Sequence, residues 1–397
     1  MNNMFRWFAT LILLVVLVLT SCRSGETPES TATSITPTQS PTPALEMDLS
    51  PTSTTVEGAL AFPTPTQTLQ PATYYNFDPG INPLTGLPVE DPANLDRRPV
   101  MVKVSNWPRE GRPHAGLTSA DIVFEYFIGS QMNRFLAVFY GEDAEVIGPV
   151  RSGRLVDAQL VKLYQGILAY GSADPQVDEV IFETLGDRAY SFPLVQCPMM
   201  CGETTHSATG VFANSTALTD YAASIGVDHS KPDLRGMYFQ DDSPSGDGTG
   251  TLLHVEYADF SIMEWHYDVE GGNYVLWTER ETDEGLDLAP MTDRNNDQEV
   301  HFDNLVVMYA KYIEYAPSLH DIVITEAKGY QPAIFFRDGK VTYGKWRVPE
   351  PDRPVIFETP EGDPLPFKPG KTWIVIAGLS STTTQPAGGE WEIYFGL

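Results

Sequence analysis

The sequence predicts an α+β protein: an N-terminal mixed α/β domain followed by a mostly antiparallel β C-terminal domain. Three observations carry that expectation. Between residues 76 and 240, apolar runs of period two alternate with runs of period 3.6, the patterns of strands and helices. Beyond residue 250 the strand pattern recurs without a long helical one, cut by Gly-Gly and Asp-Gly steps suited to tight hairpins. Between the halves, residues 240–250 read QDDSPSGDGTG, the polar, glycine-rich composition of a linker or exposed loop.

In chain order, residues 99–106 (PVMVKVSN) alternate as a strand. Residues 121–128 (DIVFEYFI) and 133–140 (NRFLAVFY) are β-rich runs joined by Gly129-Ser130-Gln131-Met132, which reads as a hairpin. Glu125 and Arg134 stand in its opposite arms, where a cross-strand ion pair is expected. Residues 152–164 (SGRLVDAQLVKLY) carry Leu155, Leu160 and Leu163 at helical spacing, and 166–171 (GILAYG) form another apolar strand. A helix is predicted over 175–185 (PQVDEVIFETL), with Asp174 as N-cap and Pro175 at the first helical position. In the second half, residues 264–278 fold back at Gly271-Gly272 and residues 333–346 at Asp338-Gly339, which supplies the positive φ angles of a type I′ turn. Residues 304–310, 322–325, 372–377 and 390–395 add four strands.

Residues 1–22 (MNNMFRWFATLILLVVLVLTSC) place Arg6 before an apolar run from 11 to 19. That run falls short of the roughly 20 apolar residues a spanning helix needs, and has the length of a signal-peptide core. Leu19-Thr20-Ser21-Cys22 fits the lipobox pattern, so residues 1–22 read as a lipoprotein signal peptide and Cys22 as the lipidation site. One acyl chain anchors only marginally, a need the diacylglyceryl group expected on Cys22 would meet. Residues 23–75 are rich in Ser, Thr and Pro and hold too little apolar surface to offset their ordering entropy. They are expected to form a disordered tether of extended, semi-rigid character. The expected organisation is therefore signal peptide 1–22, tether 23–75, α/β domain 76–240 and β domain 250–397. The expected address is the outer face of the cytoplasmic membrane, in the cell envelope, with the membrane as a partner through the anchor.

The chain carries 25 basic and 53 acidic residues, a formal net charge of −28. Such a surface repels phosphate backbones, whose binding depends on Lys and Arg, and no nucleic-acid partner is expected. With Cys22 acylated, Cys197 and Cys201 remain as a pair in CPMMC. The export compartment favours a disulfide between them. The alternative, a metal site adding His206, offers only three ligands, so neither a metal nor a cofactor is expected.

The segments NPLTGLPV (82–89), RPVMVKVSN (98–106), RPHAGLTSADIVFE (112–125) and IGPVRSGR (147–154) resemble the YerB-like bacterial lipoprotein family. In the second half, FFRDGKVTYGKWR and KPGKTWIVI are similar to the same family's C-terminal part. The resemblance covers nearly everything after the tether. It implies a lipid-anchored exported protein with a two-part domain of unknown function, and implies no reaction. The chain departs from the family pattern at Ile128-Gly129-Ser130 and at Thr205-His206-Ser207.

Arg151-Ser152-Gly153-Arg154, just ahead of a helix, is the sharpest candidate for binding, an anion site. Helix N-terminal N–H groups attract anions, and guanidinium groups grip phosphate or carboxylate bidentately. The bland alternative pairs these arginines with internal carboxylates such as Glu125 or Asp121. Glu125, Arg134 and His206 form the candidate pocket, and His114 is a further loop histidine. Asp293, Asn295, Asp297 and Glu299 alternate like the opening of a calcium loop, but Gln298 and Asn304 occupy the positions where Gly and Glu are needed. A solvated turn is the better reading there. Trp265, Trp277, Trp346 and Trp373 fit cross-strand packing better than a sugar platform. No G-x-S-x-G, H-E-x-x-H or Walker A motif is present. The leading expectation is therefore a non-enzymatic binding or scaffold module for an envelope polymer, another envelope component or a membrane protein partner. The alternative is an envelope hydrolase or transferase acting on an anionic cell-wall substrate.

Overall fold

In the computed structural model, which describes residues 77–202 and 209–397, the first half contributes five strands to one mixed sheet. These are β1 (Val100–Ser105), β2 (Ile122–Gly129), β3 (Met132–Phe139), β4 (Ile167–Tyr170) and β5 (Ala189–Ser191). The β2–β3 hairpin closes between Gly129 and Met132 with Ser130 and Gln131 at φ +53° and +61°. Both central residues thus adopt the left-handed conformation that a type I′ turn requires. β1 pairs antiparallel with β3 and parallel with β4, and β4 pairs parallel with β5. Parallel neighbours need crossover connections. Helices α1 (Leu155–Leu163) and α2 (Pro175–Leu185) supply them, the latter capped by Asp174, which accepts from Gln176 N at 3.0 Å. A short hairpin, β6 (Met200–Gly202) with β7 (Val211–Ala213), precedes α3 (Ser215–Ser224), capped by Asn214. Cys197 and Cys201 are joined by a disulfide at the entry to β6. The expected signal peptide with Cys22, the expected tether and His206 lie outside the described residues.

The second half supplies β8 (Tyr238–Phe239), β9 (Gly248–Ala258), β10 (Ser261–Asp268), β11 (Asn273–Thr282), β12 (Gly285–Pro290) and β13 (His301–Phe302). It continues with β14 (Asn304–Ala316), β15 (Leu319–Val323), β16 (Gln331–Arg337), β17 (Lys340–Arg347) and β18 (Ile356–Glu358). Four further strands are β19 (Pro366–Phe367), β20 (Thr372–Gly378), β21 (Thr382–Thr384) and β22 (Gly389–Tyr394). Strands of both halves share the central sheet, in the order β5-β4-β1-β3-β2-β20-β14-β16-β17-β18. The seam is the parallel pair β2–β20, in register from Ile122↔Thr372 to Tyr126↔Ile376. The described residues accordingly lie in one compact unit, and the protein is a β-rich α+β fold. The segment ahead of β9 is held in place: Arg337 donates to the carbonyls of Gln240 and Asp241 at 3.0 and 3.1 Å.

A second sheet, β21-β22-β9-β10-β11-β12, covers one face of the first. The period-two alternation of β2 sorts its side chains between the two environments. Phe124 meets Tyr164, the residue that ends α1, at 5.4 Å between ring centroids, and Tyr126 reaches Asp157 of that helix. Phe127 instead stacks on Tyr257 and Phe395, on the side of the second sheet. Trp265, Trp346 and Trp373 are fully buried; Trp265 and Trp373 pack at 4.8 Å, and Trp346 donates to the Tyr309 carbonyl. The aromatic residues of the β half are thus largely core.

Candidate anion-binding site

The loop ahead of α1 is stitched between the carboxyl ends of two parallel strands. Ser105 N donates to Pro149 O and Arg151 N to Lys103 O, each at 2.8 Å, on the β1 side. Gly171 N donates to Arg151 O and Gly153 N to Ser172 O, also at 2.8 Å, on the β4 side. Gly153 is required by close approach: a Cβ there would lie 2.9 Å from Ile181 Cδ1 of α2 and 3.1 Å from the Tyr170 ring. The carboxyl ends of parallel strands, facing helix N-termini, are where open α/β sheets hold ligands.

Arg151 and Arg154 come from this loop, and Arg134 joins them from β3. Its Nη1 donates to the Ser152 carbonyl at 2.9 Å, and its side chain is 6% exposed. Burial, then repulsion from Arg154 and Arg151, holds the Arg134 guanidinium well below its ordinary pKa. Burial likewise lowers Arg151 and Arg154. Among the described residues, none of the three has a carboxylate at ion-pair distance, whereas Arg97, Arg109, Arg112, Arg337 and Arg347 each do. The Nε atoms of Arg134, Arg151 and Arg154 are all buried without a hydrogen-bond acceptor. Nε of Arg97, Arg109 and Arg347 are buried without an acceptor too, so what sets these three guanidiniums apart is the lack of a carboxylate partner.

The nearest acid is already committed. Asp157, at the third position of α1, accepts from Arg154 N through Oδ2 at 2.6 Å, which closes the helix start. Its Oδ1 accepts from the Tyr126 hydroxyl and, at 3.3 Å, from Lys103 Nζ. Lys103 also donates to the Tyr126 oxygen. Lys103, Tyr126 and Asp157 are all fully buried. Burial pushes the Lys103 ammonium down to about 7 against the attraction of Asp157. The triad fixes the start of α1 to the sheet, and with it the arginine loop. Neither Lys103 nor Asp157 stood out in the sequence; the available signal was a lysine inside an apolar strand and an acid three residues into a helix.

The expected Glu125–Arg134 ion pair does not form. The register pairs Glu125 with Phe135 and Tyr126 with Arg134, so the two charges fall on opposite faces of the sheet. Glu125 is fully buried on the other face, accepting from Trp373 Nε1 at 2.7 Å and Asn133 Nδ2 at 2.6 Å. Burial pushes its carboxyl up to about 7, against those hydrogen bonds. Asp121 is no partner for the arginines either: it accepts from Asn82 and from Tyr140 N and Gly141 N. His114 is a core residue rather than a loop ligand, its Nε2 2.7 Å from Ser105 O and its pKa pushed down to about 3 by burial. Asp293, read as part of a solvated turn, is fully buried and accepts from Gly116 N, Thr118 N, Thr118 Oγ1 and Asn295 N at 2.9 Å each. It clamps the loop that carries His114. A cleft of about 410 Å³ lined by Phe77, Tyr140 and Leu234 lies elsewhere and includes none of the three arginines.

Fold and site together define a class: a two-part, β-rich protein whose parts share one sheet, with an unpaired arginine cluster where a helix starts. The chain belongs to the family described as protein of unknown function (DUF3048), matching its N-terminal domain over residues 84–223 and its C-terminal domain over 253–374. It is 26% identical over 297 residues to "Putative lipoprotein YerB" of Bacillus subtilis (strain 168), covering 74% of this chain and 85% of that one. A crystal structure of the YerB protein from Bacillus subtilis shares the fold, with a TM-score of 0.62 at 24% identity over 75% of this chain and 96% of that chain.

Proposed function

We propose that this chain is an extracytoplasmic lipoprotein, cut before Cys22 and lipid-anchored there, that holds an anionic envelope component at Arg134, Arg151 and Arg154. The single observation that carries the binding reading is the cluster of guanidiniums without carboxylate partners in a chain of net charge −28. In such a chain an internal acid is the easiest neutraliser to supply, yet Asp157 is engaged by Lys103, Tyr126 and a backbone N–H. The lipobox ending in Cys22 supports the address, as does the printed name of the Bacillus subtilis relative. A mixed α/β first part presents the site, and the β-rich second part braces it across the β2–β20 seam.

Retention of the full chain on purified peptidoglycan and on anionic wall polymer tests the reading. The wild type is expected to be retained, with salt weakening retention only partly because buried and partly buried charges are screened less than exposed ones. The Arg151→Ala/Arg154→Ala variant is expected to lose retention while melting within a few degrees of the parent. Equal retention of both proteins, or loss of the fold in the variant, refutes the binding role of these arginines.

A further inference from the structure

The arginine cluster and the Lys103–Tyr126–Asp157 triad stand on one face of the central sheet. Cross-strand partners project to the same side, and the register pairs Arg134 with Ser105 on β1 and with Tyr126 on β2. Lys103, two residues before Ser105, shares that side by the period-two alternation of a strand. Helix α1 packs over it and brings Asp157. Two connections tie the lysine to the loop that carries the arginines. The Lys103 carbonyl accepts from Arg151 N at 2.8 Å. Asp157 accepts from Lys103 Nζ at 3.3 Å through one oxygen and from Arg154 N at 2.6 Å through the other.

The groups that act on the buried Lys103 amine come from each element around it: Tyr126 from β2, Arg134 from β3, Asp157 from α1 and Arg154 from the loop before it. On β4, Tyr170 turns its hydroxyl to Asp178 of α2 at 2.9 Å, and Tyr312 of β14 acts on Tyr126. Glu125 belongs to the opposite face, held by Trp373 and Asn133. Burial drives the Lys103 amine toward its neutral form, Asp157 draws it back, and the charges of Arg134 and Arg154 repel the ammonium. Burial and Asp157 are built into the fold. The repulsion is not: an anion seated on the guanidiniums cancels it and attracts the ammonium in turn.

Resting on the anion-binding reading above, we propose that an anion entering the arginine site is taken up together with a proton, which lodges on Lys103, so that the site holds its ligand more tightly in acid than in alkaline surroundings. Lys103 does not touch the ligand; it acts through Arg134, Arg154 and the start of α1. The sign follows from linkage. A binding step that takes up a proton weakens as protons become scarce, and the ligand and the proton favour each other by the same factor. The amine of the empty site stands at about 7, so the affinity falls as pH rises from near neutrality. At the extracytoplasmic address proposed above, the site meets the pH of the surroundings.

Titration of the full chain with sodium sulfate between pH 6 and 9, at constant ionic strength, tests the proposal. Sulfate keeps its charge across that range, so every proton taken up belongs to the protein. Calorimetry at pH 7.5 in two buffers of different ionisation heat counts the protons, and ¹³C spectra of the lysine Cε carbons follow the amine. One pKa unit of coupling is a tenfold change in affinity, so the wild type is expected to bind sulfate at least about threefold more weakly at pH 9 than at pH 6. A fraction of a proton should be taken up per sulfate, and one lysine resonance that titrates near neutrality should move to higher pH with sulfate present. Lys103→Met is expected to bind sulfate without proton uptake and without that pH dependence. An undiminished pH dependence in folded Lys103→Met overturns the proposal and assigns the proton to another group, such as Glu125 at about 7 on the opposite face. Should Lys103→Met fail to fold, the wild type decides: sulfate binding with no proton uptake, or with no displaced lysine resonance, overturns the coupling while the anion site stands. No sulfate binding at any pH, or binding that survives Arg151→Met/Arg154→Met, defeats the anion reading itself and the coupling with it.

Discussion

Lys103→Met tests whether the buried triad beneath the arginines holds a lysine whose desolvation drives off its proton near neutrality. Lys103 is fully buried, and its pKa falls from 10.5 to about 7, burial being the main cause. The folded state therefore binds fewer protons than the unfolded chain between those two values. Stability must rise with pH wherever the unfolded state binds more protons. One proton corresponds to about 1.4 kcal/mol per pH unit, so the wild type gains on the order of 2–3 kcal/mol between pH 7.5 and 9.5. Other shifted groups act mainly outside that window: Asp121 at about 6 and Glu125 at about 7 release their protons mostly below it, and the buried tyrosines, raised above 10, titrate beyond it. The raised pKa of His254 acts in the opposite direction near its lower end, because that stability is lost as pH rises. Taking the difference between wild type and Lys103→Met cancels the background. Urea unfolding followed by tryptophan fluorescence at pH 7.5, 8.5 and 9.5 is expected to show a rising difference, on top of a loss of about 1–3 kcal/mol near pH 7.5, where Lys103 is already mostly neutral, from leaving buried Asp157 without that hydrogen bond. A pH-independent difference, or a wild type that weakens as steeply as the variant, refutes the account of a buried lysine that loses its proton near neutrality.

Asp293→Ala removes four acceptor contacts from a fully buried carboxylate. A loss of about 2–3 kcal/mol is expected in thermal unfolding, while calcium leaves the wild-type midpoint unmoved. Gly129→Ala places a methyl 2.3 Å from the Pro317 carbonyl at φ +95°. It should cost about 1–3 kcal/mol and loosen the β14–β15 hairpin, read as faster amide exchange at Ile322 and Ile324. Glu125→Gln should flatten the pH dependence of stability below neutrality. A carboxyl raised to about 7 stabilises the fold at acid pH, and that contribution is lost as pH climbs from its unfolded value of 4.5 through 7. Cys22→Ser should move the chain from the membrane to the soluble fraction, read by blotting fractionated cells; an unchanged distribution rejects the anchor.

Much of the secondary structure was legible because it follows from local rules. The helix over Pro175–Leu185 announces itself by Asp174 and Pro175, and the strand over Val100–Ser105 by alternation. The hairpin at Ser130-Gln131 was readable from its flanks, although neither turn residue is glycine. What could not be read was pairing at a distance. Nothing in β2 names β20 as its neighbour some 250 residues on, because a strand buried on both faces and largely apolar fits beside many others. The composition of residues 240–250 suggests a linker or exposed loop; most of it is exposed, and Arg337 holds two of its carbonyls. Asp293 looked solvated because acids in polar runs usually are; only the folded His114 loop converts it into a buried clamp.

The candidate site was half legible for the same reason. Arg151-Ser152-Gly153-Arg154 lies within one local motif, so the helix start and its flanking charges could be read together. Arg134 was readable as part of the neighbourhood but with the wrong partner, because one residue of register decides which sheet face a side chain meets. Placing Arg134 on the face of Tyr126 makes the difference between a neutralised ion pair and an uncompensated cation. The partner set then follows from connectivity: Asp157 is consumed in binding Lys103 and Tyr126, which steadies α1 but leaves the loop's charge untouched. Had Glu125 shared their face, the three arginines would have had an internal counter-ion and no call on an external one. The parity of a single strand therefore separates a stabilising salt bridge from an uncompensated cluster of guanidiniums, and Glu125's hydrogen bonds to Trp373 and Asn133 keep that parity fixed.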